Sequence, residues 1–427
     1  MLPVATALDL PLIPPLDKTS VPNLAALFAC QFIVRKRIKL LPNLGLIKWM
    51  LLVYIISPFF TALLNFDPII AGPLFIKGIE YYDALSAVIR QIIFIIPFLL
   101  GMNLLHKAGD HEVLIRVLAV AGVLYSFPML LEIRLSPQLH RLIYGFFPHS
   151  FLQQIRNGGF RPVVFLGHGL WVAFFTMTSV AAAAIFWKIR GTIFGFKAGG
   201  VLIYLCVVLF LCKSMASIIY ASFIIFVIHF MRPKRQAKIA KFIVIFVIMF
   251  PLLRLVDYFP GTEIASVVAE YNEQRAESLQ FRLDNEDMLL THARERVFFG
   301  WGSWGRNRIY DKKTGKDLST TDGRWIIVIG EYGLIGYIAE FSLLALSVIR
   351  SSKAIQYIKN SRDRVVLAAL TLLMAISLVD LLPNSSVTPW TWLLAGALIG
   401  RSEQIKADFK RRSIKTKENK FSLSIDM

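Results

Sequence analysis

The stretch IIVIGEYGLIGYIAEFSLLALSVI, residues 326–349, decides the class of this protein: its only charges are Glu331 and Glu340. A helix rises 1.5 Å per residue, so about 20 apolar residues cross the ~30 Å hydrocarbon layer of a bilayer. Lipid offers no partner to backbone N–H and C=O groups, which restricts such a run to an α-helix or a closed barrel strand, and its length selects the helix. Ten more apolar runs flank it, at roughly 21–34, 45–65, 84–105, 113–133, 163–187, 198–212, 214–231, 239–256, 365–382 and 387–400. The first and last are short, and are expected to lie at the interface or to span with help from their neighbours. The expected fold class is all-α, a polytopic membrane helix bundle of about 11–12 transmembrane helices. Composition agrees. Of 427 residues, 56% are hydrophobic and 18% charged, against about a quarter charged in soluble chains. This excludes a water-soluble, disordered or fibrous protein.

The net charge of +19 reads as membrane orientation, not as nucleic-acid binding. Arg35, Lys36, Arg37, Lys39 and Lys48 separate the first two runs. Arg232, Lys234, Arg235, Lys238 and Lys241 separate the seventh and eighth, and Arg350, Lys353, Lys359, Arg362 and Arg364 the ninth and tenth. The tail after Gly400 adds eight basic residues against four acids. If the chain alternates, all of these fall on one side, which is then cytoplasmic; the N-terminus is expected outside and the C-terminus inside.

Two connections on the other side are long, about 134–162 and 257–325. The second holds 12 acidic and 10 basic residues, together with an amphipathic stretch, Ile264 to Asp287, that reads as helix. The chain therefore divides into an N-terminal segment 1–20, helices one to eight over 21–256, a large extracytoplasmic loop subdomain 257–325, helices nine to eleven over 326–400, and a basic cytoplasmic tail 401–427. Cys30, Cys206 and Cys212 lie within apolar runs and read as small buried residues. Residues 1–19 are Pro-rich with Asp9 and Asp17 and lack a basic n-region, so no cleaved signal peptide is expected.

Ionisable residues inside membrane segments are functional candidates. Arg90, Glu132, His168, Lys213, Arg254, Glu331 and Asp380 all fall near the outer ends of their runs; only Glu340 lies clearly deeper. Arg134, Arg141, Arg156 and Arg161 add an outer cluster against the positive-inside trend. Any one of these residues can simply snorkel to the interface. As a set, they suit an anionic group at the outer leaflet, such as a lipid-linked pyrophosphate, which arginine binds through forked hydrogen bonds. The histidines show no metal-ligand spacing, and there is no Walker loop and no G-x-S-x-G elbow, so no metal and no cofactor is expected. The run Gly300-Trp-Gly-Ser-Trp-Gly305 reads as a tight aromatic turn. Trp301 and Trp304 either stack on sugar rings or anchor at the interface.

Three elements follow one another between Ser278 and Glu340: an Arg (Arg282) about ten residues before Ala293, the Gly-x-Gly turn Gly300–Gly302, and the form GEYGLIG (Gly330–Gly336) within a membrane helix. A further element is GGFRPVVFLGHGL, Gly158 to Leu170, with an Arg before a membrane helix. In these motifs and in layout the chain resembles the O-antigen ligase and O-antigen polymerase family of bacterial membrane glycosyltransferases. Where the ligases place a His-Asn pair, this chain has Thr321-Asp322-Gly323, and where the family often has Ser-Arg it has Lys213-Ser214. The resemblance therefore implies a polymerase of O-antigen or exopolysaccharide repeats in preference to a ligase.

What the resemblance implies is transfer of a glycan from a polyprenyl-pyrophosphate donor to an acceptor hydroxyl at the outer face of the bacterial inner membrane. The partners are then that donor, a glycan acceptor, the bilayer, and polysaccharide export or chain-length proteins. The protein must neutralise the leaving group and orient the hydroxyl. Arg161 and Arg282 are expected on the pyrophosphate, with Lys213, Arg254 and Arg90 as second choices, and Arg161, Arg282 and at least one of Lys213 or Arg254 are expected to line one cavity near the outer interface. Asp322 is the expected base, or else a helix cap; Glu331 is the alternate base, or else an ion-pair partner. His168 is a candidate sugar or phosphate contact, or else a satisfied core histidine. The rival from another class is a lipid-linked oligosaccharide flippase, which is expected to show two similar halves and charge at the bilayer midplane.

Overall fold

A computed structural model describes residues 3, 5–9, 13–41, 44–156, 158–271, 273–385 and 387–425. Among them, fourteen α-helices follow in chain order: α1 Ser20–Phe28 (continued by a π turn, Ala29–Ile33), α2 Leu46–Leu63, α3 Tyr81–Leu104, α4 Ala108–Leu135, α5 Leu139–Tyr144, α6 Gly169–Lys188, α7 Ala198–Leu211, α8 Met215–Phe230, α9 Pro233–Leu255, α10 Gly261–Tyr271, α11 Glu273–Arg294, α12 Arg324–Ala354, α13 Ser361–Asp380 and α14 Pro389–Ile425. The described strands pair only as short antiparallel hairpins in connections, such as Ile69–Ala71 with Leu74–Ile76. The fold is mostly helical, and each of the eleven apolar runs coincides with a helix. Five helices, α2, α3, α4, α6 and α12 with its extension to Tyr357, are long and apolar enough to cross a membrane.

Burial follows apolarity. In α6, Ala181 to Ala184 are fully buried, and in α13 the run Val366–Leu378 is buried throughout. Helices that are apolar on every face belong inside, and these two form the bundle centre. Small residues bring backbones together: a Cβ on Gly396 of α14 would lie 2.0 Å from the Phe98 carbonyl oxygen of α3, and one on Gly101 2.3 Å from that of Leu393. Only glycine permits this approach. Large apolar side chains such as Ile203, Phe210, Phe230, Phe242 and Ile245 are exposed on α7–α9, as a lipid-facing surface requires.

The two ends of the bundle differ. At one, the basic connections meet: Arg350 donates to Glu403 at 2.6 Å and to the Leu44 carbonyl at 3.1 Å, Arg362 pairs with Glu112 at 2.7 Å, and Arg401 pairs with Asp363. At the other, the long connections interlock. Arg296 pairs with Asp67 at 2.8 Å, Arg306 donates to the Lys77 carbonyl at 3.0 Å, and Lys213 Nζ donates to the Arg156 carbonyl at 2.9 Å. Glu132 anchors this end, accepting from the backbone N–H of Leu139, Val163 and Val164 at 2.7–2.9 Å.

The stretch read as helix, Ile264 to Asp287, falls within α10 and α11, and Leu289, Leu290 and Ala293 of α11 pack into the main core of the bundle.

Candidate functional site

The site is built around a break in α12. Gly333 has φ +66° and ψ −168°, outside helical geometry. A Cβ there would lie 2.3 Å from the Phe298 carbonyl, so no other residue fits. Breaking a helix frees backbone groups that a bilayer cannot satisfy. The Gly-rich stretch supplies their partners: Trp301 N–H donates to the Gly330 carbonyl at 2.8 Å and Gly302 N–H to that of Glu331 at 2.9 Å, while Leu334 N–H donates to the Val297 carbonyl at 2.7 Å. Positive φ at Gly300, Gly302 and Gly305 lets this stretch turn against the helix. Its expected tight turn is present, and its purpose is to brace the break.

The break folds the helix back on itself. Arg324 Nε and Nη2 donate to Glu340 Oε1 and Oε2, both at 2.7 Å. In a straight helix these residues would stand about 24 Å apart. The first half of α12, Arg324 to Tyr332, is therefore turned toward the second. Glu340 is 1% exposed, and its charge is matched within the fold. Arg324 Nη1 makes no hydrogen bond to a described residue, so this guanidinium keeps donors for a ligand.

A cavity of about 480 Å3 opens beside this half-helix. Four charged residues line it: Lys18, Arg90, Arg324 and Glu331. Its aromatic walls include Tyr54, Trp171, Tyr332 and Trp392. Lys18 lies 5.0 Å from the Trp171 ring and Arg90 5.4 Å from that of Phe94. Neither Lys18 nor Arg90 forms an ion pair with a described residue. Burial lowers the Lys18 pKa, with Asp17 opposing it. For Asp17, burial pushes the carboxyl up, but hydrogen bonds from Ser20 and Thr19, with nearby Arg90, hold it below its usual range. The cavity thus combines excess positive charge, one carboxylate and apolar ring faces.

The residues singled out from sequence fall into three groups. Arg90 and Glu331 line the large cavity. Arg161, Lys213 and His168 form a second group: buried Arg161 donates to the Lys213 carbonyl at 3.0 Å, and His168 caps α6 by accepting from Leu170 N–H at 3.0 Å. Arg282, Asp322 and Arg254 gather around α11. Arg282 and Asp322 face each other at 3.9 Å, both about half exposed, in an apolar trough of about 200 Å3. Arg254 pairs with Glu286 at 3.2 Å and Asp287 at 3.0 Å.

The single cavity expected for Arg161, Arg282 and Lys213 or Arg254 is therefore corrected. Arg161 is tied to the Lys213 carbonyl at the α7–α8 junction, and Arg282 and Arg254 to acids on and just after α11. Asp322 is not a cap either, since Gly323 holds that position without a side-chain bond. Trp301 is also corrected as a sugar platform: its ring stacks on His292 at 4.2 Å and under Arg296 at 4.0 Å, so both faces are covered. Trp304 is 54% exposed and lines a smaller cavity that also contains Arg90.

Sequence reasoning missed Lys18, Arg324, Tyr54, Tyr332 and Trp392. One signal for Arg324 existed, because an Arg beginning an apolar run that contains a deep Glu calls for a pair. Among the described residues no group of three or more His, Cys, Asp or Glu side chains is placed to hold a metal. Compared with known proteins, the sequence matches no family model and no curated protein.

Proposed function

We propose that the chain is a membrane glycosyltransferase of the bacterial inner membrane that polymerises polyprenyl-pyrophosphate-linked oligosaccharide repeats at the outer face. The observation that carries this reading is the convergence of Lys18, Arg90 and Arg324 on one cavity with Glu331 and aromatic walls. A pyrophosphate needs several cations and its sugar needs ring faces; the cavity offers both. The gathering of basic connections at the opposite end supports a cytoplasmic placement of that end, with about eleven crossing segments.

In the proposed reaction the donor's pyrophosphate lies among Lys18, Arg90 and the free Nη1 of Arg324. The bond from the sugar C1 to the pyrophosphate oxygen breaks, and its electron pair leaves with the pyrophosphate, whose growing charge the cations stabilise. A new bond forms from C1 to the acceptor hydroxyl oxygen, and Glu331 takes the hydroxyl proton. Glu331 replaces Asp322 in this role, because Asp322 lines the separate α11 trough. The ligase reading uses the same steps with a different acceptor.

The broken helix α12 favours one rival, since discontinuous helices also build substrate sites in transporters. Detergent solution separates the two because it abolishes sidedness. Purified protein is incubated there with lipid-linked repeats, and products are resolved by size. Polymer is expected, with release of polyprenyl pyrophosphate. Intact repeats after incubation would exclude the polymerase and leave the flippase reading.

A further inference from the structure

Beside the large cavity lies a second one of about 220 Å3 that shares Arg90, Phe94 and Tyr332 with it as a common wall. Its far side comes from three parts of the chain distant in sequence: Asp17 and Ser20 from the N-terminal segment, Ser86 from α3, and Ser303 and Trp304 from the Gly-rich stretch. We propose that this second cavity is the acceptor-sugar subsite, which receives the terminal sugar of the acceptor glycan and presents its hydroxyl across the shared wall. This rests on the glycosyltransferase reading above and deepens it.

The composition points to a carbohydrate. Hydroxyls of Ser86, Ser303 and Tyr332 serve as donors or acceptors, Asp17 as an acceptor and Arg90 as a donor, while the Ser20 hydroxyl is engaged with Asp17. Sugar rings are bound by such a mixed set around one aromatic face. Several of these groups have capacity left. Ser86 is 8% exposed, lies on the cavity and has no hydrogen-bond partner among the described residues. Asp17 uses Oδ1 to accept from Thr19 N–H at 2.9 Å and Ser20 N–H at 2.7 Å. Its Oδ2 accepts from no described residue. Trp304 is held at φ +59° in the turn, with its ring half exposed, unlike Trp301, whose faces are both covered. A pyrophosphate fits less well here, because Arg90 is the only cation lining this cavity and Asp17 offsets it.

The position also fits the chemistry. Glu331 lines the large cavity and its chain neighbour Tyr332 lines both. An acceptor hydroxyl presented past Tyr332 approaches the donor from the side where the base lies, so the two reactants arrive from two cavities and meet at their wall.

The test uses the full chain in nanodiscs and two probes. One is farnesyl pyrophosphate. The other is the lipid-free oligosaccharide released by mild acid from the lipid-linked pool of the cells that make this protein. Wild-type protein is expected to bind both. Trp304→Ala and Ser86→Leu, which removes a hydroxyl and fills the cavity, should weaken the oligosaccharide by roughly tenfold or more while leaving farnesyl pyrophosphate within about twofold. Lys18→Gln should do the reverse. Thermal melting monitors folding, and exposed Trp304 serves as the safe variant if Ser86→Leu fails to fold. Unchanged oligosaccharide affinity in Trp304→Ala, with farnesyl pyrophosphate still sensitive to Lys18→Gln, overturns the subsite and leaves the proposed function standing. Absence of binding of both probes to wild-type protein overturns both.

Discussion

Arg324 and Glu340, sixteen residues apart in one apolar segment, are joined by two hydrogen bonds of 2.7 Å each. The pair holds the two halves of α12 against each other and neutralises a carboxylate that is 1% exposed. Removing one partner of a buried pair leaves an uncompensated charge and typically costs about 3–5 kcal/mol. Arg324→Met alone should therefore lower the melting temperature sharply, and Arg324→Met combined with Glu340→Leu should recover much of the loss. Equal melting of wild-type and Arg324→Met protein would show that the pair does not hold the fold.

Gly333→Ala tests the break itself. The added Cβ meets the Phe298 carbonyl at 2.3 Å, and alanine is strained at φ +66°. Little folded protein is expected. Gly200→Ala in α7 is the control, since nothing lies within 4 Å of its Cβ. Helical glycine-to-alanine changes stabilise by up to ~1 kcal/mol. Yield of monodisperse protein measures both; similar yields from the two variants would contradict the break.

Glu331→Gln keeps the side-chain shape and removes the proton acceptor. A general base contributes about 10²–10⁴-fold, and the rate of polymer formation should fall within that range with donor binding retained. Asp322→Asn, in the separate trough, should keep most of the rate. If the two variants exchange these outcomes, the base is Asp322 and the large cavity is not the centre of transfer.

Glu286 supplies a pH test outside the membrane. Burial pushes its carboxyl up to about 7, with Arg254 opposing. From its ordinary 4.5 up to about 7, the unfolded chain gives up this proton while the folded chain keeps it, so stability falls as pH rises across that window. Melting curves from pH 4 to 8 should show a decline that is shallower in Glu286→Gln. Parallel curves for the two proteins would place the ionisation elsewhere.

Sidedness is checked by cysteine labelling. Lys313 lies in the connection after α11 and Lys410 in the extension of α14, and both are exposed. With single cysteines at these positions, an impermeant reagent applied to intact spheroplasts should label only the first. Labelling of both would end the proposed orientation.

The candidate site was partly legible. Arg90 and Glu331 stood out because a charge in an apolar run must be explained wherever it occurs. Lys18 did not, because it sits in a Pro-rich segment outside the apolar runs, where a lysine needs no explanation. An outer position, the resemblance and a pyrophosphate's need for positive charge make partners of Arg161 and Arg282, but none of these fixes which connection lies beside which. The bundle places Arg161 beside Lys213 and Arg282 beside Asp322. Trp301 and Trp304 are alike in sequence, three residues apart in a Gly-rich turn, and only packing separates a covered ring from a free one.

By itself the sequence determined a helical membrane protein and the position of every apolar helix, because the length of an apolar run and the need to satisfy its backbone are local properties. It also marked the run Gly300 to Gly305 as a tight turn. Only the tertiary structure decided that α12 turns back at Gly333, that the stretch 297–302 satisfies the groups this exposes, and that Lys18, Arg90, Arg324 and Glu331 meet. Those outcomes depend on which distant backbone and which opposite charge come within hydrogen-bonding reach, and that is set by the packing of the whole bundle and not by the spacing along any one segment.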